Sequence, residues 1–307
     1  MHWAKIGEAS FVGGMRFLFW VYRHLGAWPF RVLLFFVISW FFVTRALARR
    51  ASREYLRRLY ASSKKTTPAP TLYNSFRHFL SFGETLLQKM LAHGNHLQTL
   101  PYQAEGATPI LNLLEEKRGA LLITAHLGNL ELCRHLTRKR KQMKLSVLVH
   151  TRHAERFNQM LRALNPEAEH NVELMQVDSM DFTTAMLLSE RINAGGFVVI
   201  AGDRIPVNPH AASNATLALP FLGAPARFPV GPYVLAAALG CPAFTLFGVQ
   251  GANGFSIIIR PLAERVILPR RNRQEAVLPY AQRYVAALTE ECQKNPLQWF
   301  NFFPFWQ

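Results

Sequence analysis

The segment Gly119–Leu136, GALLITAHLGNLELCRHL, passes from an apolar run through a polar turn into an amphipathic pattern. GALLITA (Gly119–Ala125) is the kind of stretch that fills a strand covered on both faces. Helical spacing resumes over Leu130–Arg140, so His126 stands where a strand hands over to a helix. The same alternation recurs downstream. Leu145–Val149, Gly196–Ala201, Ala243–Val249 and Phe255–Arg260 read as further strands. Helices are expected over Leu72–Ala92, Ala154–Leu164, Phe182–Asn193, Gly231–Leu239 and Arg273–Lys294. Strands alternating with helices predict an α/β fold, a mainly parallel sheet flanked by helices.

Upstream the chain is a different material. Val32–Val43, VLLFFVISWFFV, is uninterrupted and sits between Arg31 and Arg45. With those arginines snorkelling, Trp28–Ala48 forms a helix of about 20 residues, near the length a bilayer core demands. Basic residues flank it on both sides (Arg16, Arg23 and Arg31 before, Arg49, Arg50, Arg53, Arg57 and Arg58 after), so charge asymmetry does not orient it. Membrane association is the expectation, with a span and an interfacial helix both open. Residues 1–60 are read as a hydrophobic, basic membrane-anchoring segment ahead of a linker at 61–71 (ASSKKTTPAPT). The catalytic domain then covers 72–307.

Composition narrows the function classes. Of 307 residues, 50% are hydrophobic and 18% charged, which excludes a disordered tail. Lys and Arg exceed Asp and Glu by 35 to 19, and a net charge of +16 calls for an anionic partner. Anionic lipid, an acidic carrier protein and nucleic acid all qualify. Cys133, Cys241 and Cys292 are too dispersed for a disulfide framework or a CxxC site, as suits a cytosol-facing chain. No metal site is expected from His93-x2-His96 or His150-x2-His153, which lack acidic or cysteine partners nearby. Nucleophile-elbow, phosphate-loop and dinucleotide-fingerprint motifs are all missing from the sequence.

The chemistry centres on His126 and Glu131. In one continuous helix the five-residue offset would put them about 140° apart. If His126 closes the strand and the helix starts near Gly128, the turn folds the carboxylate back onto the imidazole, and one ring nitrogen is left as a base. The carboxyl end of a parallel strand is also where open α/β sheets bind ligands. Asp203 and Arg204, after the apolar run GFVVIA, stand at a second such end.

AHLGNLE (Ala125–Glu131) resembles the HX4D/E block of the glycerolipid-type acyltransferase superfamily, and specifically of its bacterial lipid A (lauroyl/myristoyl) branch. Four later segments are similar to that branch in the right order. They are VLVHTRHAERFNQML with Arg152, VVIAGDRIP with Asp203, LPFLGAPARFPVGPYVLAAALGCPAFTLF, and the terminal NPLQWFNFFPFW. Arg227 stands where the branch has small residues, and the tail is aromatic where the branch is basic. The resemblance implies a membrane-associated enzyme moving a fatty acyl chain from acyl carrier protein, or alternatively coenzyme A, to a hydroxyl of a lipid or glycolipid. It implies no cofactor, no nucleic-acid partner, and a place on the bacterial inner membrane with the catalytic domain facing the cytoplasm.

In that scheme His126 is the general base and Glu131 holds its tautomer. The N–H groups of Gly128 and Asn129 and the guanidinium of Arg152 meet the developing oxyanion. Asp203 positions Arg152 or a substrate group, Arg204 meets substrate, and Phe221 and Gly223 belong to a loop over the acyl groove. Two other readings remain open here: a basic membrane or nucleic-acid-binding protein using Arg49–Arg58, Arg138–Lys144 and Arg270–Arg273, and a catalytically dead scaffold of the same fold.

Overall fold

In a computed structural model, residues 9–93, 101–130, 143–149, 172–176, 182–205, 215–251, 254–269 and 271–306 are described. Helices α1 (Ala9–Leu25), α2 (Ala27–Thr44), α3 (Ala46–Ser62) and α4 (Leu72–His93) come first. Then follow β1 (Tyr102–Glu105), α5 (Thr108–Glu115), β2 (Ala120–Thr124), β3 (Leu145–Val149), β4 (Val172–Gln176), α6 (Phe182–Asn193) and β5 (Phe197–Ala201). The hairpin β6 (Thr216–Phe221) and β7 (Ala224–Pro229) precedes α7 (Gly231–Leu239), β8 (Ala243–Gly251), β9 (Gly254–Ala263) and α8 (Arg273–Lys294). The expected helices over Leu130–Arg140 and Ala154–Leu164 lie outside the described residues, apart from Leu130.

Seven strands form one sheet in the order β1-β9-β8-β2-β5-β3-β4. The five from β8 to β4 run parallel, whereas β8 and β9 pair antiparallel. The sheet is therefore mixed, though mostly parallel. Only two residues separate β8 from β9, and a parallel connection needs a dozen or more. Alternate side chains of the central strands feed opposite faces. Leu121, Ile123, Val198 and Ile200 join a core with α3, α6, α7 and α8, while Ala120, Leu122, Phe197 and Val199 join a second core with α5.

The N-terminal region departs from the single anchoring helix expected over Trp28–Ala48. Helix α2 ends at Thr44, Arg45 breaks the path, and α3 leaves at 93°. Eighteen residues rise about 27 Å, just under a bilayer core. Among the described residues no single helix is long and apolar enough to cross a membrane. The break has a physical cause. Arg49 turns back to donate to the carbonyls of Phe42 and Val43, satisfying the end of α2. Helix α3 is amphipathic and buries Ala51, Ser52, Tyr55, Leu56 and Leu59, which a straight continuation of α2 would hold away from the sheet. So α3, expected ahead of the linker, packs against the same core as the sheet.

Helix α8 is fastened to β9 by charge. Arg260 donates to both oxygens of Glu290 (2.7 and 2.9 Å) and to Glu291 (2.7 Å), whose side chain is fully buried. Removing only the guanidinium leaves the buried Glu291 carboxylate with the longer contacts from Lys294 and Asn295, both 3.4 Å. Arg260→Met is expected to destabilise the fold by about 2–3 kcal/mol in thermal or urea melts, and adding Glu291→Leu to recover most of that loss.

Candidate active site

Strands β2 and β5 lie side by side in register, with Thr124 opposite Ala201. His126 and Asp203 each follow two residues after those paired ends, which brings them together. His126 Nδ1 is 2.8 Å from Asp203 Oδ1, and the His126 backbone N–H donates to Oδ2 (2.9 Å). Glycine at 202 is needed, since an added Cβ would lie 2.7 Å from Ile123 and 2.9 Å from the Tyr284 ring. Tyr284 of α8 donates to the Thr124 carbonyl (2.9 Å), fixing the strand end from behind.

The Asp203 carboxylate is wholly buried, while the His126 side chain keeps 34% of its surface exposed. Burial pushes the Asp203 carboxyl up. The charge on His126, the hydrogen bonds from it and the nearby Arg204 guanidinium outweigh that and hold it below its ordinary value. An ionised carboxylate only accepts, so Nδ1 carries a proton, and in the neutral tautomer the lone pair falls on Nε2.

The C-terminal segment completes the shell. Trp299 Nε1 and Asn301 Nδ2 both donate to Asp203 Oδ2 (3.1 and 3.3 Å). Phe300 N–H donates to the His126 carbonyl (2.8 Å), and Leu127 pairs with Trp299 as an antiparallel bridge. Arg204 donates to Asn301 Oδ1 (3.1 Å) and the Phe300 carbonyl (3.2 Å) and lies over the Phe303 ring. Burial lowers its guanidinium to about 10, still charged at neutral pH. From α4, His78 Nε2 reaches the Trp299 carbonyl (2.9 Å), and its Nδ1 meets Ser52 Oγ (3.1 Å).

A partly exposed histidine on a buried aspartate at adjacent strand ends suits proton transfer, and the family supplies its setting. The family model described as bacterial lipid A biosynthesis acyltransferase matches residues 22–307. The chain belongs to that family. It is an acyltransferase of lipid biosynthesis, as the sequence resemblance implied. A comparison with curated proteins finds no match.

The expected site residues of this acyltransferase fall partly inside and partly outside the described residues. Glu131 and Arg152 lie outside the described residues, as do His96, His150, His153 and residues 138–142 of the basic run Arg138–Lys144. Asp203, expected to position Arg152 or substrate, is the carboxylate found on His126 Nδ1, where Glu131 was expected. The expected use of the Gly128 and Asn129 N–H groups as oxyanion donors is corrected. They already donate to the carbonyls of Gln298 and Gly248, both at 2.7 Å. Gly128 is required there for another reason: its φ is +65°, and a Cβ would sit 2.0 Å from the Gly248 oxygen.

Arg204 is held by the tail. Phe221 is fully buried against Phe228, Trp299 and Trp306, and Leu222 and Gly223 (φ 50° and 80°) form the tight hairpin turn between β6 and β7. At these positions the structure has core packing and a turn. Trp299, Asn301 and His78 were missed by the sequence reading. The terminal block containing Trp299 was noticed as a resemblance, but nothing local said which strand end it covers.

Two outcomes are expected. Asp203→Asn replaces an acceptor with a group that no longer demands a protonated Nδ1, so kcat should fall about 10³-fold or more with the fold retained by circular dichroism. His78 is buried, and burial, partly offset by the Trp299 carbonyl, lowers it to about 4. Its folded value lies below its unfolded value of 6.5, so its contribution is complete above pH 6.5 and is lost as pH falls from there through 4. Thermal melts of the native chain should therefore lose about 3 kcal/mol more than those of His78→Gln between pH 7 and 4.

Proposed function

We propose that this acyltransferase moves a fatty acyl chain from an acyl thioester to a hydroxyl of a membrane lipid or glycolipid, with His126 as general base. The observation that carries the reading is the 2.8 Å bond from the ring to a fully buried carboxylate, with the imidazole itself partly exposed at the strand end. Nε2 takes the hydroxyl proton as the acceptor oxygen attacks the thioester carbonyl. The tetrahedral intermediate then expels the thiolate, which recovers that proton from the imidazolium. Asp203 keeps Nδ1 protonated and offsets the positive charge on the ring, the role of the carboxylate in a Ser-His-Asp triad, with no enzyme nucleophile. Glu131, the carboxylate of the HX4D/E block, adds to that offset, and Arg152 meets the oxyanion. General-base assistance of this kind contributes about 10²- to 10⁴-fold.

The donor is acyl carrier protein, since an acidic carrier suits a chain of net charge +16, and coenzyme A is the alternative. The reaction takes place on the cytoplasmic face of the bacterial inner membrane. Helix α2 supports a membrane-lying arrangement because it has two apolar faces. Phe30, Leu34 and Ile38 pack inward with Phe79 and Leu87 of α4, while Trp28, Val32, Phe35, Phe36, Trp40 and Val43 are exposed. Phe17 and Trp20 of α1 are exposed too. Ser39 and Thr44 return their hydroxyls to the carbonyls of Phe35 and Trp40, which hides them from a greasy surface. The outer face of α3 follows with exposed Arg50, Arg53 and Arg57, suited to anionic headgroups.

His126→Ala and Glu131→Gln should each abolish acyl transfer while leaving liposome binding intact. Mass spectrometry of lipids from cells carrying His126→Ala should show a species lighter by one acyl group, which names acceptor and chain. Turnover in either variant refutes the assignment. Replacing Trp28, Phe36 and Trp40 together by Ser should weaken partition onto anionic vesicles at least about tenfold. Equal binding of the native chain to duplex DNA at matched salt would favour the nucleic-acid reading instead.

A further inference from the structure

Behind the catalytic pair lies a buried polar chain that the reaction scheme leaves unused. Ser75 Oγ of α4 donates to Ser52 Oγ of α3 (2.9 Å), and Ser52 Oγ meets His78 Nδ1 (3.1 Å). His78 Nε2 lies 2.9 Å from the Trp299 carbonyl, and Trp299 Nε1 lies 3.1 Å from Asp203 Oδ2. Ser52, Ser75, His78, Trp299 and Asp203 are all fully buried. The direction of the chain is set by chemistry. A carbonyl only accepts, so His78 Nε2 carries its proton, Nδ1 accepts, and Ser52 donates to it. Every donor in the series then points toward the Asp203 carboxylate.

We propose that His78 is a positioning residue for acyl transfer: by holding the Trp299 carbonyl it aims the indole N–H at Asp203, and so sets how strongly that carboxylate pulls on the His126 ring. Trp299 is gripped on three sides. Its carbonyl is held by His78, its ring by Tyr55 and Phe305 (centroids 5.0 and 4.9 Å), and its N–H by Asp203. Loss of the His78 contact lets the indole drift and removes a donor from Oδ2. A carboxylate with one donor fewer concentrates its charge and holds the His126 proton more tightly. The catalytic half of this inference rests on His126 being the base.

Titratable groups around the two histidines, among the described residues, are Tyr55, Asp203, Arg204, Tyr284 and Cys292. Burial pushes both tyrosines and the thiol upward, so they stay protonated, and Arg204 stays charged. Asp203 is held low. None of these five groups therefore changes charge between about pH 5 and 8.

The test uses the full chain in lipid nanodiscs with ring-15N histidine, the His126 signal being assigned by its loss in His126→Ala. His78→Asn keeps a polar group near Ser52 but cannot reach the Trp299 carbonyl, whereas His78→Gln can place its amide N–H there. His78→Asn is expected to raise the His126 midpoint by at least about 0.5 pH, and to lower kcat about tenfold with KM unchanged. His78→Gln should return both close to native. Trp299→Phe should act like His78→Asn, and the pair together no worse than either alone.

An unmoved His126 midpoint in a folded His78→Asn protein overturns the proposal. So does a loss of activity that merely follows the folded fraction. If His78→Asn does not fold, Ser52→Ala carries the same measurement: a smaller shift in the same direction supports the coupling, and a native midpoint overturns it. Turnover surviving in His126→Ala would remove the general-base reading while leaving the midpoint result standing, so the two fail separately.

Discussion

A carboxylate with no surface in water costs several kcal/mol unless its lone pairs are met, and Asp203 is in that position. Its two oxygens take four donors: the His126 ring, the His126 backbone N–H, the Trp299 indole and the Asn301 amide. These donors come from two separated parts of the chain, the end of β2 and the C-terminal segment, so burying one charge ties both of them to the end of β5. The same charge dictates the neutral tautomer of His126 and hence which ring nitrogen holds a lone pair. Fold and reactivity share one electrostatic constraint.

That constraint explains why the tail is aromatic. Residues 299–306 close over Asp203 with Trp299, Phe305 and Trp306, which pack edge-on against one another, while Phe221 meets Trp299 edge-on and stacks on Trp306. Trp306 donates to the Phe221 carbonyl and lies under the Arg58 guanidinium at 4.8 Å. Rings exclude water from Asp203, and their few polar atoms reach acceptors that would otherwise be orphaned. Helices α3 and α4 form the far wall, contributing Tyr55, Ser52, Ser75 and His78. The helices that carry the apolar outer face of α2 are thereby in direct contact with the layer behind His126 and Asp203.

Much of the α/β framework was legible from pattern. Leu145–Val149, Phe182–Asn193, Gly231–Leu239 and Arg273–Lys294 occupy the residues that hydrophobic spacing assigned to them. Strand β1 and helix α5 were not read because they are short, and β1 is largely exposed. Within the β6–β7 hairpin only a loop around Phe221 and Gly223 was expected, and its two strands were not. Its prolines at 220, 225 and 229 argue against a central strand, yet a two-stranded ribbon outside the main sheet tolerates them. The antiparallel β8–β9 pair was available in the shortness of its connection. The uninterrupted apolar run Val32–Val43 lies within helix α2. The end of that helix at Thr44 was not read, because it depends on where the buried face of α3 must point.

Sequence alone determined the buried strand that ends just before His126, the acyltransferase resemblance, and the apolar, basic character of the first sixty residues. Those are local properties: spacing, composition and motif need only neighbours along the chain. Tertiary structure alone decided that Asp203 bonds the His126 ring, that the N–H groups of Gly128 and Asn129 are already committed, and that Trp299 and His78 stand behind the pair. Each depends on β5 inserting beside β2 and on the tail returning across both. A contact between residues 77 or 221 positions apart leaves no periodic trace in the chain.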